Sequence, residues 1–325
     1  MGAPVTTTSA ANPASSGDTY ADDETAAAAH AADPLGSLLR VLELADSEAR
    51  THEDIFTGVS HYMPNGRVFG GQVLAQSLVA ASRTVADDRP VHSMHGYFLR
   101  AGDSRKGITF AVDRIHDGRS FSTRRTQAYQ DGVPIFSMIA SFQDVGPGMS
   151  HEIPMPTGMP EPESLPDLED HLVGLHPLEM RRWADRPIEI RHIPSPIYTS
   201  VESEHTPHQA VWLRVRHELP NDPLLHRAAL AYASDMTIQE SILRAHGIPW
   251  LTDGLKVASL DHAMWWHRDG RVDEWMLYVQ ESPSASGGRG LGTGRIYTRD
   301  GVLLASVAQE TMVRLPEAVL AELDH

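Results

Sequence analysis

The second half of the chain repeats the order of the first. "YQDGVPIFSMIASF" (129–142) aligns with "YTRDGVLLASVAQET" (297–311), setting Asp131-Gly132-Val133 beside Asp300-Gly301-Val302. "VHSMHGYFLRAGD" aligns with "VASLDHAMWWHRDG", setting Ser93 beside Ser259. A duplicated unit limits the architecture to two copies of one small fold packed against each other.

Each copy reads as strand, helix and meander. In the first, "DIFTGVSHY" (54–62) reads as a strand. A helix follows over 69–85, with Leu74, Leu78, Ala81 and Val85 on one stripe. "VHSMHGYFL", "ITFAVDRIH", "SFSTRRTQAYQ" and "VPIFSMIASFQ" then read as strands parted by turn signals at Gly102-Asp103, Asp117-Gly118 and Asp131-Gly132. In the second, "AVWLRVR" (210–216) is a strand and 226–247 is helical up to the Gly before Pro249. "VASLDHAMWWH", "EWMLYVQES", "RGLGTGRIYT" and "GVLLASVAQETMV" complete the set. These readings divide the chain into a disordered tail (1–34), a first unit (35–143), a Pro-rich crossover (144–208), a second unit (209–317) and a C-terminal tail (318–325). A further helix opens the first unit, with Leu38, Leu39, Val41 and Leu42 as its apolar stripe.

One residue interrupts the pattern. Leu303, Ala305, Val307 and Val313 share a strand face, and Gln309 falls on that same face. An unpaired buried amide costs roughly 1–3 kcal/mol. Its counterpart in the first copy is Ala140, so the architecture itself does not require the amide.

Composition excludes several functions. The 325 residues carry a net charge of −16, which opposes nonspecific binding to nucleic acid or anionic membranes. No apolar run reaches the roughly 18–20 residues of a membrane span. Zero cysteines remove disulfides, thiolate metal sites and a cysteine nucleophile, which fits a reducing cytoplasm. The N-terminus lacks the basic-then-apolar order of a secretory signal, and "AAAAHAA" within it has the composition of a short helix.

The ordered set "RVFGGQVLAQSLVAA", "VHSMHGYFLRAGDS", "DGRSFSTRR", "YASDMT", "LDHAMWWHR", "EWMLYVQESPSAS" and "YTRDGVLLASVAQE" resembles the acyl-CoA thioesterase II (TesB-like) family. It spans residues 38 to 314. The resemblance implies an α+β double hotdog, two tandem repeats each with a long helix wrapped by a curved antiparallel sheet. It also implies an acyl-CoA substrate, no cofactor beyond the CoA of that substrate, and a homo-oligomer formed through sheet contacts. The family's Asp, hydroxyl and Gln fall on Asp235 in "YASDMT", Ser259 in "VASLDH" and Gln309 in "VAQE". Ser259 departs from the more usual threonine, keeping the hydroxyl but losing the methyl that stiffens the rotamer.

Each of these residues also has a plainer reading. Asp235 suits a cap at a break between helices; Ser259 and Gln309 could bond local backbone. Together they suit hydrolysis by water, with the carboxylate as base and the hydroxyl and amide as orienting groups. Gly70-Gly71 would let a ligand reach backbone N–H groups at a helix start, or would simply form a tight turn. For the CoA phosphates, Arg100, Arg105 and Lys106 or Arg119, Arg124 and Arg125 are the candidate basic groups. Trp265, Trp266, Trp275 and Met264 read as core or interface.

The alternatives are a hotdog enoyl-CoA hydratase, suggested by Asp222 and His226 in "NDPLLH", and a non-catalytic acyl-CoA binder. The four "G-x-S" matches all lack the last glycine of a nucleophile elbow. A strand follows "GGRGLGTG", against a nucleotide loop. "HTPH" (205–208) lacks carboxylate company for a metal.

Overall fold

The computed structural model describes residues 32–46, 53–63, 65–167, 170–171 and 187–323. Most of the expected N-terminal tail therefore lies outside the described residues, including all but the last residue of "AAAAHAA".

The first helix, α1 (Pro34–Leu42), starts where Asp33 accepts a hydrogen bond from the Gly36 N–H at 2.8 Å. A carboxylate cap followed by Pro is a strong helix start. Then come β1 (Ala45–Asp46), β2 (Asp54–Gly58), α2 (Gly70–Ser82), β3 (Val91–Phe98), β4 (Ile108–Asp117), β5 (Phe121–Gln130) and β6 (Val133–Gln143). The β5–β6 turn has Asp131 at φ 50° and Gly132 at φ 75°, the left-handed pair of a tight hairpin. The second unit runs β8 (His208–Val215), α3 (Pro223–Ser234), α4 (Glu240–Ala245), β9 (Lys256–Ser259), β10 (Asp261–Trp266), β11 (Met276–Ser286), β12 (Arg289–Thr298) and β13 (Leu303–Arg314). Before it lies β7 (Ile188–Ile193), and after it α5 (Glu317–Leu323).

One antiparallel sheet takes all the described strands, in the order β1-β2-β4-β5-β6-β3-β10-β13-β12-β11-β8-β7, with β9 paired to β13. The two units meet where β3 pairs with β10. Helices α2 and α3 lie against each other inside a single core that draws on both units. Eleven consecutive residues of α2, Gly71 to Ala81, are buried, so the helix is enclosed rather than one-faced. Its buried amides are satisfied internally: Gln76 Nε2 donates to the carbonyls of Val41 (2.7 Å) and Val59 (2.8 Å).

Four sequence readings change. The helix read through 226–247 breaks into α3 and α4, with turns over 235–239. Here β12 comes so close that a Cβ on Gly292 would stand 2.7 Å from the Ile238 carbonyl oxygen. The strand read over 257–267 is interrupted at Leu260, which parts β9 from β10. The crossover contains β7, paired with β8, and its earlier stretch places Met155, Met159 and Leu165 over Trp212, Trp275 and Leu277. The C-terminal tail forms α5.

The repeat register also shifts. Met94 pairs with Met264 and Gly96 with His262, on either side of His95–Ala263. That symmetry makes His262, not Leu260, the counterpart of Met94, which faces Ala140 on β6 as His262 faces Gln309 on β13. Likewise Val91 faces Phe142 where Ser259 faces Thr311, so Ser93 is not the counterpart of Ser259. A slip of two residues keeps every side chain on its own face, so alternation cannot reveal it.

Candidate active site

The break after α3 places Asp235 at that helix's C-terminal cap, 3 % exposed. Ser259 ends β9 just before the Leu260 interruption, and its hydroxyl donates to Asp235 Oδ1 at 3.2 Å. Gln309 projects inward from β13 at 1 % exposure. Its Nε2 donates to Ser259 Oγ (2.9 Å) and to Gln239 Oε1 (3.1 Å). The three residues expected from sequence thus form one hydrogen-bonded group. Gln309 does not pack against dry apolar neighbours.

Two further side chains complete the cluster. Gln309 Oε1 lies 2.5 Å from His262 Nδ1, and His262 Nε2 lies 3.0 Å from Ser234 Oγ. Complete burial lowers the His262 pKa to about 4, although the Gln309 hydrogen bond acts the other way, so the ring is neutral near pH 7.

A cavity of about 390 Å³ opens between the two units. One wall carries Asp235, Gln239 and Ser259; the facing wall is the start of α2 at Phe69-Gly70, with Phe98 and Phe136. Gln309 and His262 stand behind this wall rather than on it. A Cβ on Gly70 would come 2.6 Å from Asp235 Oδ2, and one on Gly71 would come 2.3 Å from the Tyr232 carbonyl oxygen. Gly71 is therefore required by the close approach of α2 to the α3 backbone, whereas Gly70 leaves room for the Asp235 carboxylate. Arg67 and Arg100, both exposed, sit on the cavity rim.

Comparisons with known proteins give the family of the chain. The pattern of the family described as "Acyl-CoA thioesterase" matches residues 185–312, and "Acyl-CoA thioesterase N-terminal domain" matches 59–143. Acyl-coenzyme A thioesterase 8 of Homo sapiens is 40% identical over 302 residues, covering 88% of this chain and 93% of that protein. The chain belongs to the acyl-CoA thioesterase family. Acyl-CoA thioesterase 2 of Haemophilus influenzae is 36% identical over 297 residues, covering 88% of this chain and 99% of its own. The crystal structure of acyl-CoA thioesterase II TesB2 from Mycobacterium marinum superposes with a TM-score of 0.68 at 42% identity, over 86% of this chain and 98% of that one. The architecture is the double hotdog that the resemblance implied, and the protein is a thioester hydrolase.

Within this thioesterase the other sequence candidates separate. Of the basic groups named for CoA, Arg100 reaches the cavity, joined by Arg67, which sequence reasoning passed over. Arg124 is buried, donating to Asp117 (2.7 Å) and Thr84 (2.7 Å). Arg125, Arg105 and Lys106 pair with Asp113, Asp103 and Asp131. Asp222 caps α3 by accepting from the Leu224 N–H (2.9 Å), and His226 Nδ1 accepts from the Val272 N–H (3.2 Å). The pair that suggested a hydratase thus has structural partners at the far end of α3 from Asp235. In "GGRGLGTG", Gly290 lies against Ile242 and Gly292 against Ile238, which makes the glycines a packing surface for α4 and the turn before it. No group of three or more metal-ligating side chains occurs among the described residues. Among the same residues, no helix is long and apolar enough to cross a membrane.

His262 and Gln239 were the site residues missed in the sequence. His262 had a signal: it shares the inward face of β10 with Met264 and Trp266, a polar residue out of place as Gln309 is. Gln239 had none, because the helical spacing ran unbroken through it.

Proposed function

We propose that the protein hydrolyses fatty acyl-CoA to free fatty acid and CoA by direct attack of a water molecule held at Asp235 and Ser259, with Gln309 fixing Ser259 from behind. The observation that carries this reading is the Asp235–Ser259–Gln309 hydrogen-bonded group at the wall of the inter-unit cavity. The Asp235 carboxylate takes a proton from the water as its oxygen bonds to the thioester carbonyl carbon. Ser259 fixes the carboxylate, and Gln309 fixes Ser259. The carbonyl becomes an oxyanion beside the start of α2, where backbone N–H groups at Gly70 and Gly71 are suited to receive it. Collapse breaks the C–S bond, and Asp235 returns its proton to the departing CoA sulfur. A thiol with a pKa near ~8.5 leaves readily, so the route needs no covalent acyl-enzyme and no cofactor.

The phosphates of CoA would lie at the rim near Arg67 and Arg100, the acyl chain among Phe98, Phe136 and Trp250. Exposed Tyr97 and Ile139 on the outer face of the sheet support association of copies through sheet contacts. The cysteine-free sequence supports a cytoplasmic location.

The test is release of free CoA thiol from acyl-CoAs of several chain lengths, by the native protein and by Asp235→Asn. Native release that falls by about 10³-fold or more in the folded variant is the expected result. Equal release by Asp235→Asn removes that residue from the mechanism. No release with any chain length favours a binder, and water addition to crotonyl-CoA favours a hydratase.

A further inference from the structure

Position 262 did not need a histidine to build this fold. The first unit places Met94 opposite Ala140 on the strands equivalent to β10 and β13. The second unit places His262 one residue beyond the Ala263–Ala308 pair, facing Gln309. An apolar pair in one copy is thus a polar pair in the other. His262 is 0% exposed and does not border the cavity, so it cannot touch substrate.

We propose that His262 is a positioning residue that acts through Gln309, holding that amide with its N–H₂ toward Ser259 and Gln239. The proposal rests on the water-attack reading above and extends it one residue inward.

The argument starts at the carboxylate, which when ionised can only accept hydrogen bonds. Ser259 has a single proton, and the bond to Asp235 Oδ1 uses it. Ser259 Oγ must then be the acceptor in its contact with Gln309, so the Gln309 N–H₂ faces Ser259. The second amide proton meets Gln239 Oε1. Gln309 Oε1 is left facing His262 Nδ1, which must carry the ring proton. Nε2 is then the acceptor for the Ser234 hydroxyl, whose single proton must turn to it from the Ala231 carbonyl, 2.9 Å away. From Asp235 to Nδ1 each link allows one orientation of the next, and burial keeps the ring neutral so that Nε2 can accept. Without the Nδ1–H donor the amide oxygen loses its partner, and only the bonds to Ser259 and Gln239 oppose a turn that would set that oxygen against them. The Ser259 proton would then be drawn from Asp235.

The test compares His262→Met, the residue the first unit carries at this place, with His262→Asn and His262→Gln. An asparagine amide nitrogen lies near the position of Nδ1, whereas a glutamine nitrogen lies near Nε2. His262→Met is expected to lower kcat by about tenfold or more while KM for acyl-CoA moves by about twofold or less. His262→Asn should recover most of kcat and His262→Gln should not. Combined with Gln309→Ala, His262→Met should add no further loss, because it acts through the missing amide. Nitrogen-15 NMR of the unmodified protein should show the Nδ1–H tautomer, a readout that survives any folding defect of the variants. Native kcat in folded His262→Met overturns the proposal. So does an Nε2–H tautomer, or an equal further loss in the Gln309→Ala background. If Asp235→Asn and Gln309→Ala both keep native kcat, the water-attack reading fails and this proposal with it. If they lose kcat and His262→Met does not, only the role of His262 falls.

Discussion

Gly70 opens α2 directly against the carboxylate of Asp235, so that a Cβ on the glycine would stand 2.6 Å from Oδ2. The first unit supplies a helix start and the second supplies the base. A negative group at the positive end of a helix is electrostatically favoured. The site therefore exists only where the two units meet.

Gly70→Ala separates stability from catalysis. Alanine is the better helix former by about 0.5–1 kcal/mol. The atoms that it meets are the end of the Asp235 side chain and, at 3.1 Å, the Phe98 ring edge, side chains that can shift while the backbone stays in place. A misplaced base is costly to rate, so kcat should fall by about 10²-fold with the melting temperature held or raised. Steady-state kinetics beside a thermal melt checks this; an unchanged kcat would mean that the carboxylate position tolerates the shift.

Gln309→Ala reproduces what the first unit already has at Ala140. The fold should survive, since Ala140 is fully buried against Met94 without strain in the pairing. The variant removes the donor to Ser259 and leaves the His262 Nδ1–H without its acceptor, costing about 1–3 kcal/mol in stability. Loss of one orienting donor should lower kcat by about 10²-fold. Circular dichroism, urea unfolding and thiol release together test it, and a native rate would strip Gln309 of its proposed role.

Much of this was legible in the sequence because period and turn chemistry are local. The stripe through Leu74, Leu78 and Ala81 and the turn at Asp131-Gly132 needed no knowledge of the fold. Gln309 stood out for a local reason too, as an amide on an apolar strand face. The break over 235–239 was hidden, because Ile238 and Ile242, four apart, continue a helical spacing out of it. What ends α3 is the tertiary approach of β12 at Gly292. The two-residue slip of β10 was hidden for a different reason: both registers satisfy the same alternation. The resemblance supplied Asp235, Ser259 and Gln309 as residues, but it left out His262 and Gln239, which the strand pairing and the helix break bring into contact.

Arg67 and Arg100 on the cavity rim should act on binding rather than chemistry. The chain as a whole is acidic, so removing local positive charge should be felt strongly by a polyanionic substrate. Arg100→Glu is expected to raise KM for acyl-CoA by about tenfold, with kcat near native. The KM for an acyl thioester without phosphates should stay unchanged. Added salt should raise the native KM toward that of the variant. Equal effects on both substrates would place the phosphates elsewhere.

Acid should weaken the fold in two separable steps. His262 has a folded pKa of about 4 against an ordinary value of 6.5 because burial disfavours its charged form. Between those values the unfolded chain holds a proton that the native protein does not, so stability rises with pH across this window. The stability is fully present above the unfolded value and falls as pH drops toward 4, by about 3 kcal/mol for this one ring. Glu240 acts in a lower window. Burial alone would raise its pKa, but the charge of His192 and hydrogen bonds from His192, Gln209 and Trp250 outweigh that and hold it below the ordinary 4.5. Its contribution is present above that value and is lost as pH falls through the lowered folded value. Urea unfolding at several pH values, for native protein and His262→Met, separates the two. The native protein should lose stability from about pH 6.5 downward, whereas the variant should stay flatter until the carboxylates titrate. Parallel curves for the two proteins down to about pH 4 would show that His262 is not held neutral by the fold.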